Sequence, residues 1–196
     1  MINNKENLTE VIEEYNKDLY MIPHIYQTEG AGKGRNLSGL LYENLITNIC
    51  KTFNLDARKD DYKTSEIIGG YQLTNLQVDK HIYKNNILVK MVESKTYLDV
   101  CYLKRAVDDM IDLYFSPEVN DKVEYAIFAG QKCLAENSMN FHMEKFKRKT
   151  GKTLKIFFFN KNKIRSPKKG IYMEEYKDDF SIDMEVMMEF AKWLNK

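Results

Sequence analysis

The chain has 196 residues, with 30 basic and 29 acidic side chains and a formal net charge of +1 at pH 7. This balance excludes a strong overall attraction to nucleic acid, so any such contact must come from a local basic patch. Hydrophobic residues make up 43% of the sequence and aromatic residues 12%. These fractions exclude a disordered chain and predict a single globular domain over residues 1–196.

The cysteines and the apolar runs bear on the compartment. Cys50, Cys101 and Cys133 form neither a CxxC pair nor a disulfide framework, which favours a reducing cytosol. The N-terminal residues contain no apolar signal-peptide core, and no apolar run approaches the ~20 residues of a membrane span. We therefore expect a soluble, cytoplasmic protein without membrane contact.

The N-terminal part predicts two helices with a basic loop between them. Residues 10–20 and 37–54 have apolar side chains at helical spacing. Residues 27–36 contain three glycines around Lys33 and Arg35, but they do not satisfy the G-x-x-x-x-G-K-[ST] pattern of a nucleotide-binding loop. They predict a mobile basic loop, which either touches a nucleic-acid backbone or is a plain surface loop.

The rest of the chain predicts a meander of strands followed by alternating helices and strands. Residues 56–66 form a charged connection, residues 67–73 a first strand, and residues 76–96 a hairpin. The later predictions are a helix over 99–114, a strand over 123–129, a helix over 131–149, a strand over 154–159, and a Met-rich helix over 183–195 for packing or dimerisation. This order predicts an α/β (α+β) fold, with a central mixed β-sheet flanked by helices.

The hairpin over residues 76–96 carries the most informative side chains. Asp79 lies on its first strand, and Glu93-Ser94-Lys95 ends its second, apolar strand. Two other acid-x-lysine triplets lie in polar connections, so only this one ends an apolar strand. Residues i and i+2 of a strand share a face, so Glu93 and Lys95 point the same way.

Asp79 joins that face only if residues paired across the hairpin sum to an even number. This condition predicts a three-residue loop, either 85–87 or 84–86, in which an asparagine adopts a left-handed conformation. A two-residue turn at Asn85 and Asn86 would instead place Asp79 on the opposite face.

Charged side chains at the end of apolar strands are costly to bury unless they pair or bind a metal ion. Asp79 and Glu93 supply hard oxygen ligands suited to Mg²⁺, and the Ser94 carbonyl could add a third. Lys95 would orient or deprotonate a water and offset charge on a phosphate. The alternative is a surface ion-pair cluster without a catalytic role.

Asp79, thirteen residues and then Glu93-Ser94-Lys95 resemble the motif of the PD-(D/E)xK nucleases. The predicted elements over residues 37–160 resemble the αβββαβ core of that superfamily. The sequence departs from the motif at its proline position, where it has Val78.

The resemblance implies that Asp79 and Glu93 bind Mg²⁺ and that Lys95 serves the water. It also implies that Glu43, on the second predicted helix, adds a carboxylate to the metal site.

The compact size is similar to that of a type II restriction endonuclease. That resemblance implies a homodimer that cuts a short palindrome in double-stranded DNA and leaves 5′-phosphates. Two alternatives stay open: a repair or junction-resolving nuclease on the same core, and a non-catalytic DNA-binding or interaction domain. Two-fold symmetry would require a symmetric dimer, with helix 99–114 or the C-terminal helix as its interface.

If the substrate is duplex DNA, polar side chains on loops should contact it. Phosphate contacts are expected from basic residues of the predicted loop and of a basic stretch near the C-terminus: Lys33, Arg35, Lys161, Lys163, Arg165, Lys168 and Lys169. Base contacts are expected from amide side chains: Asn36, Gln131, Asn137 and Asn140. Amide side chains of this kind are more often ordinary surface residues than base contacts.

Overall fold

The protein is represented by a computed structural model, which describes residues 3–19, 21–161 and 181–196. The helices within these ranges are α1 (Asn3–Leu19), α2 (Met21–Glu29), α3 (Ala31–Thr52), α4 (Val100–Tyr114), α5 (Glu136–Thr150) and α6 (Met184–Leu194). The strands are β1 (Asp56–Arg58), β2 (Ile67–Ile68), β3 (Tyr71–Gln72), β4 (Lys80–Lys84), β5 (Ile87–Leu98), β6 (Glu124–Lys132) and β7 (Leu154–Phe158).

Five of these strands form one mixed sheet in the order β1-β4-β5-β6-β7. The pairs β1–β4 and β4–β5 are antiparallel, whereas β5–β6 and β6–β7 are parallel. Parallel neighbours need a crossover connection, and α4 and α5 provide the two crossovers. The predicted α/β (α+β) class, with a central mixed sheet flanked by helices, is confirmed.

The predicted basic loop over residues 27–36 is wrong, because these residues are almost entirely helical. Only Gly30, with a φ of 87°, separates α2 from α3. That left-handed conformation is one that glycine adopts without strain, so a single residue is enough to break the helix. Lys33, Arg35 and Asn36 therefore lie in the first turns of α3 and not on a mobile loop.

The prediction that residues 67–73 form the first strand of the sheet is also wrong. The first strand is β1, which lies inside the predicted charged connection and pairs Asp56 with Tyr83 and Arg58 with His81. Residues 67–73 instead form the separate two-stranded hairpin β2–β3. A strand of three residues with two exposed side chains is too short to show an apolar alternation.

Each face of the sheet has its own apolar core. One core joins the sheet to α1, α3 and α6, and the other joins it to α4 and α5. The apolar side chains of α4 and α6 are buried within this chain, including Leu103 and Met110 on α4 and Phe190 and Trp193 on α6. These two helices therefore use their apolar faces for packing. None of the helices in the described ranges is long and apolar enough to span a membrane.

Gly130 in β6 lies where a side chain has no room. A Cβ at this position would lie 2.4 Å from the carbonyl oxygen of Thr96 in β5 and 3.1 Å from the hydroxyl of Tyr42. Because the first contact is with backbone, the two strands would have to separate. Gly130→Ala is expected to lower the free energy of unfolding by about 2 kcal/mol, measured by denaturant titration.

Gly39→Ala is the matched control for this substitution. Gly39 lies inside α3, and no atom lies within 4 Å of the position of its missing Cβ. Alanine loses less conformational freedom than glycine in a helix, so this variant should be more stable by about 0.5–1 kcal/mol. Equal destabilisation by both substitutions would contradict the close approach at Gly130.

Candidate functional site

A two-residue turn joins β4 and β5, so the predicted three-residue loop is wrong. Asn85 and Asn86 have φ angles of 52° and 63°, and Lys84 pairs with Ile87 on either side of them. Two consecutive left-handed residues define a type I′ turn, whose twist matches that of the flanking strands. Asparagine tolerates this conformation better than most residues.

A β-bulge in β5 returns the carboxylates to a common face in spite of this turn. Leu88 and Lys90 pair with consecutive residues of β4, so Val89 is left as an extra residue. The extra residue changes the pairing register from odd to even. As a result Asp79, immediately before β4, comes opposite Glu93, which is the arrangement that the face argument requires.

The backbone holds the two carboxylates together. The N–H of Asp79 donates to Oε2 of Glu93 at 3.2 Å, and the N–H of Ser94 donates to Oδ2 of Asp79 at 2.8 Å. Such charge-assisted hydrogen bonds are stronger than neutral ones and set the orientation of both side chains. The structure thus holds Ser94 through its N–H, and the use of its carbonyl as a metal ligand stays a prediction.

Two lysines neutralise this pair of carboxylates. Nζ of Lys95 bonds to Oε1 of Glu93 and lies 3.6 Å from Oδ2 of Asp79. Nζ of Lys59 lies 3.6 Å from Oδ1 of Asp79. Lys59 follows β1 within the predicted connection over residues 56–66, and it is not among the candidate residues predicted from the sequence. Lys59 reaches the site because β1 pairs with β4, and no pattern in the sequence indicates that pairing.

Burial and charge shift the pKa of both ends of the Glu93–Lys95 pair. Burial, with repulsion from Asp79, raises the pKa of the Glu93 carboxyl even though Lys95 opposes the shift. Burial alone would lower the pKa of Lys95, but the two carboxylates outweigh it and the pKa is raised. Lys95 therefore stays protonated at neutral pH. The geometry favours a cation that offsets charge or orients water over a general base.

The cluster opens into a cavity of about 550 Å³. The charged groups that line it come from four parts of the chain: Glu43, Lys59, Asp79, Glu93, Lys95, Arg105 and Asp109. Arg105 and Asp109 form an ion pair at 3.7 Å across one turn of α4. A wall with this many charges suits a charged ligand, whereas a site for an apolar molecule is lined mainly by apolar side chains.

Glu43 lines the cavity but is not joined to the other carboxylates. Its Oε2 lies 3.5 Å from Nζ of Lys80. In the part of the chain that the structure describes, no three His, Cys, Asp or Glu side chains form a ready-made metal site. A role for Glu43 as a metal ligand therefore stays a prediction.

The residues at the cluster nevertheless fit Mg²⁺. This ion prefers oxygen ligands and is usually held by one or two protein carboxylates, together with water and substrate phosphates. Asp79 and Glu93 supply two carboxylates side by side. Burial and the neighbouring Asp79 raise the pKa of Glu93, and a divalent cation beside both carboxylates would favour their ionised forms.

The residues predicted to contact phosphates on α3 are only partly described. Lys33 is exposed and pairs with Glu29 at 2.5 Å, one helical turn away. The backbone of Arg35 belongs to α3, while its side chain lies outside the described structure. The C-terminal basic residues Lys163 and Arg165, with Lys168 and Lys169, fall outside the described residues, whereas Lys161 falls within them.

The amides predicted to contact bases have different surroundings. Asn36 is exposed on α3, two helical turns before Glu43 and on the same helix face. Asn137 and Asn140 are exposed on α5. Gln131, by contrast, lies in β6 with only 3% of its surface exposed. Its predicted positions, at the start of a helix over 131–149 and on a loop near the site, are therefore wrong, and α5 begins only at Glu136. The strand continues three residues beyond its predicted end at residue 129.

Comparisons with known proteins do not identify a family. No protein-family model matches the chain, and no curated protein has a significantly similar sequence. The function must therefore be argued from the chemistry of the cavity.

Proposed function

We propose that this protein is a Mg²⁺-dependent endonuclease that cuts double-stranded DNA at a specific sequence and leaves 5′-phosphates. One observation carries the proposal: Asp79, Glu93 and Lys95 meet at the wall of a single open, charged cavity. Two carboxylates and a protonated amine match what phosphodiester hydrolysis requires. The reaction needs ligands for a metal ion and a cation for the charge that develops on the phosphate.

The order of the elements supports a place in the PD-(D/E)xK superfamily. The elements α3, β1, β4, β5, α4 and β6 follow one another as αβββαβ, with the β2–β3 hairpin inserted after the first strand. Asp79 precedes the second of these three strands, and Glu93 and Lys95 lie in the third. Within that superfamily we propose a type II restriction endonuclease, on the basis of the compact size of the chain.

In the proposed mechanism, Asp79 and Glu93 would hold Mg²⁺. The bound ion would polarise the phosphate and lower the pKa of a water molecule. Lys95 stays protonated and donates hydrogen bonds to the phosphate or to the attacking water. When substrate enters, Lys59 exchanges its contact with Asp79 for a neighbouring phosphate oxygen, because it is the more exposed of the two lysines.

A palindromic site has two-fold symmetry, so we propose that the active form is a symmetric homodimer. The apolar faces of α4 and α6 are buried in the chain itself and would not form the interface. The interface would instead use the polar faces of these helices or other surfaces.

Digestion of plasmid DNA by the purified protein tests the proposal. In Mg²⁺ we expect discrete fragments whose ends share one sequence and carry 5′-phosphates, and we expect no cutting when EDTA is present. Cleavage of branched or damaged DNA without sequence preference would assign a repair or junction-resolving nuclease instead. Absence of cutting on every DNA substrate would refute the nuclease proposal and leave a binding or interaction domain.

A further inference from the structure

Exposed apolar side chains are concentrated on the β2–β3 hairpin, outside both cores. In this arm, residues 66–73, four large side chains are exposed: Ile67 (63%), Ile68 (68%), Tyr71 (84%) and Leu73 (61%). Two glycines with φ angles of 59° and 85° form the tip. Single exposed apolar residues are normal on a protein surface, but a continuous group of them usually marks a binding site.

The arm is anchored to the wall of the cavity. At its base, the N–H of Thr64 donates to the carbonyl of Leu73 at 2.9 Å, and Tyr62 and Leu76 exchange two backbone hydrogen bonds of 3.0 Å. The hydroxyl of Tyr62 lies 2.7 Å from that of Tyr83 in β4, which ties this base to the sheet. The arm therefore projects from a fixed position.

The arm is also close to the proposed metal ligands along the chain. Residues 75–78, immediately after it, line the cavity and lead directly to Asp79. The six peptide units between Leu73 and Asp79 span at most about 20 Å. One turn of B-DNA rises ~34 Å. The base of the arm therefore lies less than one helical turn of DNA away from a phosphate bound at Asp79.

A second copy of this chain is a poor match for the arm. The four exposed side chains present roughly 500 Å² in all, and a stable interface buries about 800 Å² on each partner. DNA is a better match, because proteins that bend it insert apolar side chains between base pairs from the minor groove.

We propose that the arm is an apolar wedge for DNA, with Ile68 and Tyr71 at its tip. These two residues pair across the hairpin and point to the same face. With a phosphate at the cavity, the arm enters the adjacent groove, and this pair presses between neighbouring base pairs and unstacks one base step. This inference rests on the proposed function, since it takes DNA as the ligand of the cavity.

Fluorescence of 2-aminopurine tests the wedge, because the emission of this base rises when it is unstacked. The full-length Glu93→Gln variant serves as the parent protein for the arm substitutions, because it should keep the native fold without cutting the duplex. The duplexes carry the sequence found in the plasmid digest, or a mixed sequence if no DNA is cut. A series of duplexes places 2-aminopurine at each successive base position. The parent should raise the emission at one base step within a turn of the cut position.

Replacing Ile68 and Tyr71 together with serine should remove this signal and weaken DNA binding about tenfold. Ile87→Ser is the matched control, because Ile87, the first residue of β5, is 62% exposed beside the other hairpin turn. This variant should leave both signal and affinity unchanged. Bound parent without any rise in emission, or an arm variant that keeps the rise, would overturn the proposal. The proposal would also be overturned if light scattering without DNA showed a dimer that the arm substitutions convert to monomers.

The two proposals can fail separately. Sequence-specific cutting by the wild-type protein without unstacking would refute the wedge alone. Unstacking by the Glu93→Gln parent, with no cutting of any DNA by the wild type, would refute the nuclease alone.

Discussion

Lys95→Ala is expected to slow Mg²⁺-dependent DNA cleavage by about 10³-fold, the magnitude seen when one cation that stabilises a phosphoryl transition state is removed. The amine lies beside both carboxylates in the cavity, and its raised pKa keeps it charged at neutral pH. Glu93→Ala should abolish measurable cutting, because it removes one of the two carboxylates that would hold Mg²⁺. Initial rates on a labelled duplex measure both effects.

Lys95→Arg separates the two roles that the amine could have. An arginine keeps the positive charge but cannot act as a base at neutral pH. If Lys95 acts as a cation, the arginine variant should cut faster than the alanine variant. If it acts as a base, the two variants should be equally slow.

Lys63→Ala is the matched control for these substitutions. Lys63 ends another acid-x-lysine triplet, Asp61-Tyr62-Lys63, and its side chain is exposed. Its loss should leave the cleavage rate within a factor of about two, as for most surface substitutions. Denaturant titration of each variant separates loss of function from unfolding. A folded Lys95→Ala or Glu93→Ala protein that cuts like wild type would contradict the proposed site.

The hairpin shows how far the sequence can predict such a site. The shared face of Glu93 and Lys95 follows from the period of a strand, and the structure confirms it. The position of Asp79 depends on the pairing register of the hairpin. The sequence-based prediction assumes a three-residue loop and a strand without a bulge; both assumptions are wrong, and their effects on the register cancel. The turn is one residue shorter than predicted, and the bulge at Val89 adds one residue back. A bulge of this kind has no reliable signal in one sequence.

The other errors have a common physical cause. Three glycines around Lys33 predict a loop by propensity, but tertiary contacts of α3 with α1 and α2 stabilise a helix there. The sequence predicts that Gln131 begins a helix, but it lies in β6, which has a parallel neighbour on each side. In each case packing outweighs local preference, and packing is not visible along the chain.

The contribution of Lys59 to the site depends on a partly buried hydrogen-bond network beside β1. The N–H of Asp60, the next residue, donates to Nδ1 of His81 at 3.1 Å. Oδ2 of Asp60 accepts a hydrogen bond of 2.5 Å from the hydroxyl of Tyr83 and one of 3.0 Å from Nε of Arg58. These contacts hold the segment from which Lys59 reaches Asp79.

Acidification is expected to weaken this network through His81. The imidazole is fully buried, and burial lowers its pKa to about 4, from 6.5. Because Nδ1 of His81 accepts a hydrogen bond, the neutral ring carries its proton on Nε2. A second proton would be on Nδ1, where it would face the N–H of Asp60 and break this hydrogen bond. The unfolded chain binds that proton below pH 6.5, whereas the folded protein does so only near pH 4. The free energy of unfolding therefore falls as the pH falls through this window.

The loss attributable to His81 between pH 7 and pH 4 is about 3 kcal/mol. His81→Gln should remove this part of the pH dependence, since glutamine can accept the Asp60 hydrogen bond but does not titrate. His24→Gln, at an exposed position on α2, is the matched control and should keep the wild-type pH dependence. Denaturant titrations at both pH values measure the difference. If His81→Gln lost as much stability as wild type, the imidazole would not be the group that destabilises the acid state.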